Sequence, residues 1–326
     1  MKKTIVMIAT MIACVALNAA KAAPLPEAKP DDVGFSQQGL ARLDDFFARE
    51  ITAKRVPGAV VAIARDGKLV HYKAYGQLDA AKGTPMPLDA MFALASMTKP
   101  MAAVAGLMLV EQGRLPLQAE LADYFPAFAD MKVGVPQADG SLKLEPQASP
   151  IHIHDLYRHT SGLIYGGRPD SSSLVARQYP DGTAPAIEGD TQAFIERITK
   201  LPLAHQPATE FEYGFSIDVL GGVIEKVSEQ RLGDYLAANV RGPLGMKDAT
   251  FHPTEAQRVR LARPFPNDPL TGKAQTIKLL DTPTKFDCGG ACSFATVGDY
   301  VRFGQMLLNG GELDGQRILS PKPCII

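Results

Sequence analysis

A serine and a lysine three positions apart, in Ser96-Met97-Thr98-Lys99, stand at the head of a long apolar segment. On a helix this spacing puts both side chains on one face, so Oγ and Nζ can meet within a single turn. A hydroxyl beside an amine that can take its proton is a nucleophile with its own base, and it needs no histidine. The first turn of a helix adds unpaired N–H groups and positive potential, which favour a neutral amine and an oxyanion beside the serine. The chemistry open to such a pair is nucleophilic attack with a covalent intermediate.

The elements that must position the pair can be read around it. The helix is predicted from about Ser96 to Glu111, with Gly113 as its stop signal. Met101 to Val110 is apolar nearly all round, which predicts a buried helix. A lysine at the start of a buried helix must be paired or neutralised, so Lys99 differs from a surface lysine. Upstream, Gly58 to Ala64 reads as a buried strand, Asp66-Gly67 as a two-residue turn and Lys68 to Tyr75 as the returning strand. Pro126 to Pro150 reads as loop, with Ala138-Asp139-Gly140-Ser141 a hairpin tip. Helices are predicted over Gln192 to Lys200, Asp218 to Ser228, Gly233 to Val240 and Thr296 to Leu308. In the last, Tyr300, Phe303, Met306 and Leu307 read as core. The glycines of Asp218 to Glu225 predict close helix packing.

The N-terminus has the form of an export leader. Met1-Lys2-Lys3 is a basic start, Thr4 to Ala20 an apolar stretch, and Ala20-Lys21-Ala22 a small-x-small cleavage site before Ala23-Pro24. The apolar run is broken by Thr10 and Asn18 and falls short of the ~20 residues that a membrane span needs. Residues 1–22 are therefore expected to be removed, leaving 31 Lys+Arg against 35 Asp+Glu once the leader's three lysines are gone. A periplasmic or secreted protein with no stable membrane span follows as the expectation. No basic block or arginine-rich face is present, which argues against nucleic acid as a partner. Cys288-Gly289-Gly290-Ala291-Cys292 could close a small disulfide ring or hold two free thiols in a glycine turn.

Several ordered blocks together resemble one family. Ser96-Met97-Thr98-Lys99-Pro100 ahead of an apolar helix ending Glu111-Gln112-Gly113 is similar to the nucleophile helix of the serine beta-lactamase and penicillin-binding protein superfamily. His154-Asp155-Leu156-Tyr157-Arg158-His159-Thr160-Ser161-Gly162-Leu163 resembles the helix-to-loop segment that follows there. Phe211-Glu212-Tyr213-Gly214-Phe215-Ser216-Ile217-Asp218-Val219-Leu220-Gly221 resembles the tyrosine-bearing second motif. Gly242-Pro243-Leu244-Gly245-Met246-Lys247-Asp248-Ala249-Thr250-Phe251 matches a segment of the class C-like branch, family VIII carboxylesterases above all.

The resemblance implies an α/β (α+β) fold, an antiparallel sheet flanked by helices plus a mainly helical region. Its sheet-bearing part would be about 24–125 and 255–326, and its helical part about 126–254. It also implies a double displacement on an ester, amide or beta-lactam with no metal or cofactor. Ser96 would be the nucleophile, Lys99 its base with an amine made less basic by burial and the helix dipole, and Tyr213 the tyrosine that shares the proton traffic. The Ser96 N–H would form half of an oxyanion hole. A carboxylesterase is the first expectation; a D-Ala-D-Ala carboxypeptidase or beta-lactamase is the alternative, and a periplasmic binding protein on a hydrolase scaffold the non-enzyme one. The sequence leaves the oligomeric state open.

Two departures from the family pattern shape these expectations. Many beta-lactamases carry Tyr-x-Asn where this chain has Tyr213-Gly214-Phe215, and phenylalanine cannot supply the amide hydrogen bond; simple esters are favoured. The family's third motif, Lys-Thr-Gly or a substitute, belongs on a strand beyond the helix predicted over Thr296 to Leu308, and Thr271-Gly272-Lys273 lies upstream in the wrong form. A domain shortened at its C-terminus, with an exposed edge on the 58–75 hairpin and reduced stability and activity, is the expectation. Other chemistries fit less well. His152-Ile153-His154-Asp155 begins like a metallo-hydrolase H-x-H-x-D-H motif, but Leu156 and Tyr157 stand where Asp and His are required. No G-x-S-x-G is present for an α/β-hydrolase; Gly214-Phe215-Ser216-Ile217-Asp218 fails at its last position.

Overall fold

The computed structural model of the chain describes residues 24–167 and 172–321, so the leader read over 1–22 and Cys324 lie outside the described residues. Helix α1 (Gln37–Thr52), capped by Ser36, leads into strands β1 (Gly58–Arg65) and β2 (Lys68–Asp79). Asp66 and Gly67 take φ of +53° and +72°, the left-handed pair that a two-residue hairpin turn needs, and Arg65 faces Lys68 across it. A bulge between Ile63 and Ala64 shifts the register. The short β3 (Thr84–Pro85) completes a three-stranded antiparallel sheet in the order β1-β2-β3. Among the described residues the outer edge of β1 has no strand partner.

Strand β4 (Met91–Ala93) runs into a 3-10 turn over Ala95–Met97, and α2 (Thr98–Glu111) continues from it. The predicted helix thus begins as a tighter turn that holds Ser96, and it stops where Gly113 takes φ +70°. Met101, Ala102, Val104, Ala105 and Leu109 are buried, as the all-apolar pattern requires. The loop read over Pro126 to Pro150 contains a strand pair, β5 (Lys132–Pro136) and β6 (Leu142–Pro146), around the hairpin tip. Val133 buries one face of this pair while Lys143 and Leu144 stay exposed, so the apolar alternation was too weak to mark strands.

Helices α3 (Ile153–Arg158), α4 (Ala184–Glu188), α5 (Thr191–Ile198), α6 (Ser216–Ser228) and α7 (Leu232–Leu236) form the helical region. The helix read as Gly233 to Val240 changes to a π-helical turn over Ala237–Arg241. At its centre α6 packs on α2, α3 and α7. Gly221 makes this approach possible, because a Cβ there would lie 3.1 Å from Leu232 Cδ2. Short helices α8 (Glu255–Arg258) and α9 (Lys278–Asp281) precede β7 (Phe294–Thr296), α10 (Val297–Leu308) and the small hairpin β8 (Glu312–Leu313) and β9 (Gln316–Arg317).

Helix α10 packs on β1 and β7, with Phe303 and Met306 fully buried. Leu307, read as core, is instead 42% exposed, and Tyr300 is half-buried. The two are seven positions apart on α10 and so share one flank of the helix. An apolar groove of about 390 Å³ opens beside that flank, lined by Ala62, Phe92, Met97, Tyr300 and Val301 among others. Among the described residues no helix is long and apolar enough to cross a membrane.

Candidate active site

The backbone brings two distant segments to one place. β4 and β7 pair antiparallel, with Ala93 opposite Phe294, so the chain leaving β4 and the chain entering β7 emerge at the same end. Ser96 and Lys99 follow β4, while the loop Cys288–Ser293 precedes β7. Leu94 N donates to Ser293 O at 2.9 Å and the hydroxyls of Thr98 and Ser293 lie 2.7 Å apart, fastening the head of α2 to this loop. Cys288 and Cys292 are joined by a disulfide, with Cα atoms 5.2 Å apart. Ala95, just ahead of the serine, takes φ +45°, a left-handed conformation that a β-carbon disfavours and that these ties must hold.

Lys99 is 8% exposed and its Nζ meets three oxygens. It lies 2.9 Å from the carbonyl of Gly290, 3.1 Å from Tyr165 Oη and 3.4 Å from Ser96 Oγ. The Gly290 carbonyl can only accept. A neutral amine has two N–H groups and one lone pair; with the N–H groups on Gly290 and Tyr165, the lone pair is left for the Ser96 hydroxyl. The same nitrogen lies 4.4 Å from the centre of the Tyr213 ring and 5.3 Å from that of Tyr165, within cation–π range when charged.

Behind Tyr165 stands Asp218, fully enclosed at the start of α6. It accepts hydrogen bonds from Gly290 N at 2.9 Å and Tyr165 Oη at 3.1 Å. Burial pushes its carboxyl up to about 6, and the positive charge of Lys99 opposes that rise. Burial, followed by the Asp218 charge, pushes the Tyr165 phenol far above its ordinary value, so it stays a neutral donor to Asp218. Gly290 must be glycine for this closure, since a Cβ there would lie 2.2 Å from Asp218 Oδ2.

Tyr213 sits at the surface of the same cluster, 40% exposed. Its ring stacks on His159, with centroids 4.7 Å apart, and meets Lys99 by its face. His159 itself has φ +54° at the end of α3, and its Nδ1 accepts from Gly214 N at 3.3 Å. Burial first, and the Lys99 charge second, push its imidazole down to about 4. The ring is therefore neutral near pH 7, which suits a nitrogen that accepts. Phe215 is turned away from the cleft and buried, packing edge-on to Tyr165 at 4.6 Å and against Phe194 at 5.6 Å.

Ser96, Tyr165 and Tyr213 line one open cleft of about 970 Å³ with Ala291, Asp181, His205 and Glu212. The structure therefore assembles Ser96, Lys99 and Tyr213, the three residues singled out from sequence, and adds Tyr165, Asp218 and Gly290. A signal existed for Asp218 alone among the additions: a buried lysine demands partners, and Asp218 is an acid set within the apolar run of α6. Away from the cleft, His152, His154 and Asp155 approach within 4.8 Å of one another. The Asp155 carboxylate is engaged there in capping α3, accepting from His152 N at 2.9 Å and from Thr160 Oγ1 at 2.7 Å.

Comparison with known proteins places this geometry. The Beta-lactamase family profile matches residues 43–323. Protein Rv1367c of Mycobacterium tuberculosis is 33% identical over 271 residues, covering 81% of this chain and 65% of that protein. Esterase EstB of Burkholderia gladioli is 33% identical over 258 residues, covering 78% of this chain and 62% of its own length. The match thus spans less than two thirds of either relative. Among solved structures, EstCE1, described as a hydrolase with promiscuous acyltransferase activity, is similar at a TM-score of 0.71 and 25% identity. That likeness covers 87% of this chain and 75% of EstCE1.

Proposed function

This chain belongs to the Beta-lactamase family, and from that premise we propose that it is an exported serine hydrolase that cleaves carboxylic esters through an acyl-enzyme on Ser96. The observation that carries the reading is the meeting of Ser96 Oγ, Tyr165 Oη and the Gly290 carbonyl at Lys99 Nζ on the floor of an open cleft. Lys99 takes the proton of Ser96 as Oγ forms a bond to the acyl carbon. The carbonyl π electrons pass to oxygen, and the Ser96 N–H steadies the resulting oxyanion. When the carbon–oxygen bond to the leaving alcohol breaks, that proton is delivered to the alcohol, with Tyr213 at the cleft surface assisting. Water then attacks the acyl-enzyme by the same route in reverse and frees the acid and Ser96.

Tyr165 and Asp218 act through Lys99. The carboxylate holds the phenol, and the phenol and Gly290 fix two amine hydrogens so that the lone pair faces the serine. Simple esters are favoured over beta-lactams because the position after Tyr213-Gly214 is a buried phenylalanine, which offers no amide to a substrate. The name of EstB supports the same choice. The leader over 1–22 supports export.

The test is intact mass of the folded chain after treatment with a fluorophosphonate, with Ser96→Ala as control. A single adduct mapped to Ser96 and absent from the control is expected; a folded chain that takes no adduct overturns the mechanism. In turnover, 4-nitrophenyl butyrate is expected to be cleaved faster than a cephalosporin, and the reverse order overturns the ester preference.

A further inference from the structure

The cleft that contains Ser96 is electrically lopsided. Asp181 and Glu212 line it, whereas its described lining includes neither lysine nor arginine. Lys99 reaches it only from the floor, nearly covered by its own partners. His205 also lines the cleft and stands between two more distant carboxylate contacts, 3.5 Å from Glu210 and 3.5 Å from Glu212. Among the described residues that line the cleft, Asp181 and Glu212 leave an excess of carboxylate over cation, and Glu210 approaches His205 from outside that lining. Glu212 is held in place by its backbone, whose N–H donates to His159 O at 2.8 Å. The negative potential also reaches the floor, where the charge of Asp181 contributes to raising the Tyr165 phenol.

The aromatic surface at the mouth points the same way. Phe211 and Tyr213 are 67% and 40% exposed, and both rings rest against His159. Aromatic faces beside carboxylates make a favourable setting for an ammonium group and a poor one for an anion. Beta-lactams and peptides that end in a free carboxylate would bring negative charge into this mouth.

We propose that the cleft selects by charge, taking esters with a positively charged group beyond the scissile bond and disfavouring those with a carboxylate there, with Asp181 and Glu212 as the selecting residues. The inference rests on the ester-hydrolase reading of Ser96 for its chemistry, and on the cleft alone for its selectivity. Because both carboxylates are open to solvent, the expected preference is modest, about three- to tenfold between neighbouring charge states, and it narrows as salt is raised.

Three thioesters with one acyl group carry the test: butyrylthiocholine, its neutral isostere 3,3-dimethylbutyl thiobutyrate, and S-butyryl-3-mercaptopropionate. Their dissociation constants for Ser96→Ala, read by calorimetry, compare charge with no chemistry involved. Their kcat/KM values on the wild-type chain are then set against those of an Asp181→Asn, Glu212→Gln double variant, so that intrinsic thiol reactivity cancels. Binding in the order cation, neutral, anion, with the wild-type kcat/KM ratios compressed in the double variant, is the expected result. Equal affinity, tighter binding of the anion, or ratios unchanged by the double substitution overturn the charge selection. If none of the three is turned over while the binding order holds, the ester-hydrolase reading falls and the charge selection stands.

Discussion

Ser96 and Met97 are neighbours in one 3-10 turn, yet they face different surroundings. Ser96 lines the cleft, where Lys99, Tyr165, Asp218 and Gly290 satisfy one another within a few ångströms. Met97, 48% exposed, lines the apolar groove beside β1 and α10, and Leu307 and Leu308 farther along α10 are open to water. On the cleft side polar groups are buried and paired, so each is expensive to disturb. On the groove side apolar groups are only half covered, so little is lost when one is removed. Function and the firmest packing share the first side.

Removing the base should give the largest effect. Lys99→Met takes away the amine while keeping most of the side-chain volume, and ester turnover should fall by about 10²- to 10⁴-fold. Stability should fall as well, because the Gly290 carbonyl loses a buried donor and Tyr165 a partner, so the rate is compared on a preparation shown to be folded. Initial rates and thermal melts on the same preparation check this, and a variant that keeps its rate would remove Lys99 from the mechanism.

Next comes a pair of truncations that sets the two sides against each other directly. Leu109 on α2 is fully buried, and Leu109→Ala should cost about 2–5 kcal/mol. Leu308 on α10 is 83% exposed, and Leu308→Ala should stay within about 0.5 kcal/mol. Urea unfolding of both variants measures the contrast. Equal losses would mean that the groove side is covered in solution by something that packs as well as a core.

The division also governs what could be read in advance. The Asp66-Gly67 hairpin, the buried helix after Ser96 and the capped α10 were legible because each has a strong local signal: left-handed turn residues, an all-apolar run, a Thr296 side chain accepting from Asp299 N. Ser96, Lys99 and Tyr213 were legible from motif form. Tyr165 and Gly290 were not, because they reach Lys99 from 66 and 191 positions away and nothing in their own neighbourhoods advertises the contact. The β5–β6 pair escaped because only part of one face is buried. Leu307 misled because helical spacing alone does not tell which flank of α10 is covered.

Asp218 offers a smaller and sharper test of the cleft side. With its carboxyl raised to about 6, it loses its charge as the pH falls through that value, and the hydrogen bond it accepts from Tyr165 loses its charge assistance. Turnover should therefore decline below about pH 6. Asp218→Asn should lower the neutral-pH rate by about ten- to a hundredfold through misplacement of the amine, and it should remove that acid limb. Rates across pH 4.5 to 8 on both proteins decide between a positioning role and mere packing, since a packing defect would scale the whole profile without moving the limb.

The smallest expected effect concerns stability, and here the two titrating groups beside Lys99 oppose each other. His159 is held down to about 4, so between there and its ordinary value of 6.5 the unfolded chain binds more protons, and stability rises with pH. Asp218 is held up to about 6, so between 3.8 and that value the folded chain binds more, and stability falls with pH. In overlapping windows the slopes partly cancel. His159→Gln removes the rising component and unmasks the falling one. The Tm gap, wild type minus variant, should widen in favour of the wild type as pH increases from 4 to 6.5 and then level off. A gap that stays constant over that range would mean that burial and the Lys99 charge do not hold the His159 ring neutral.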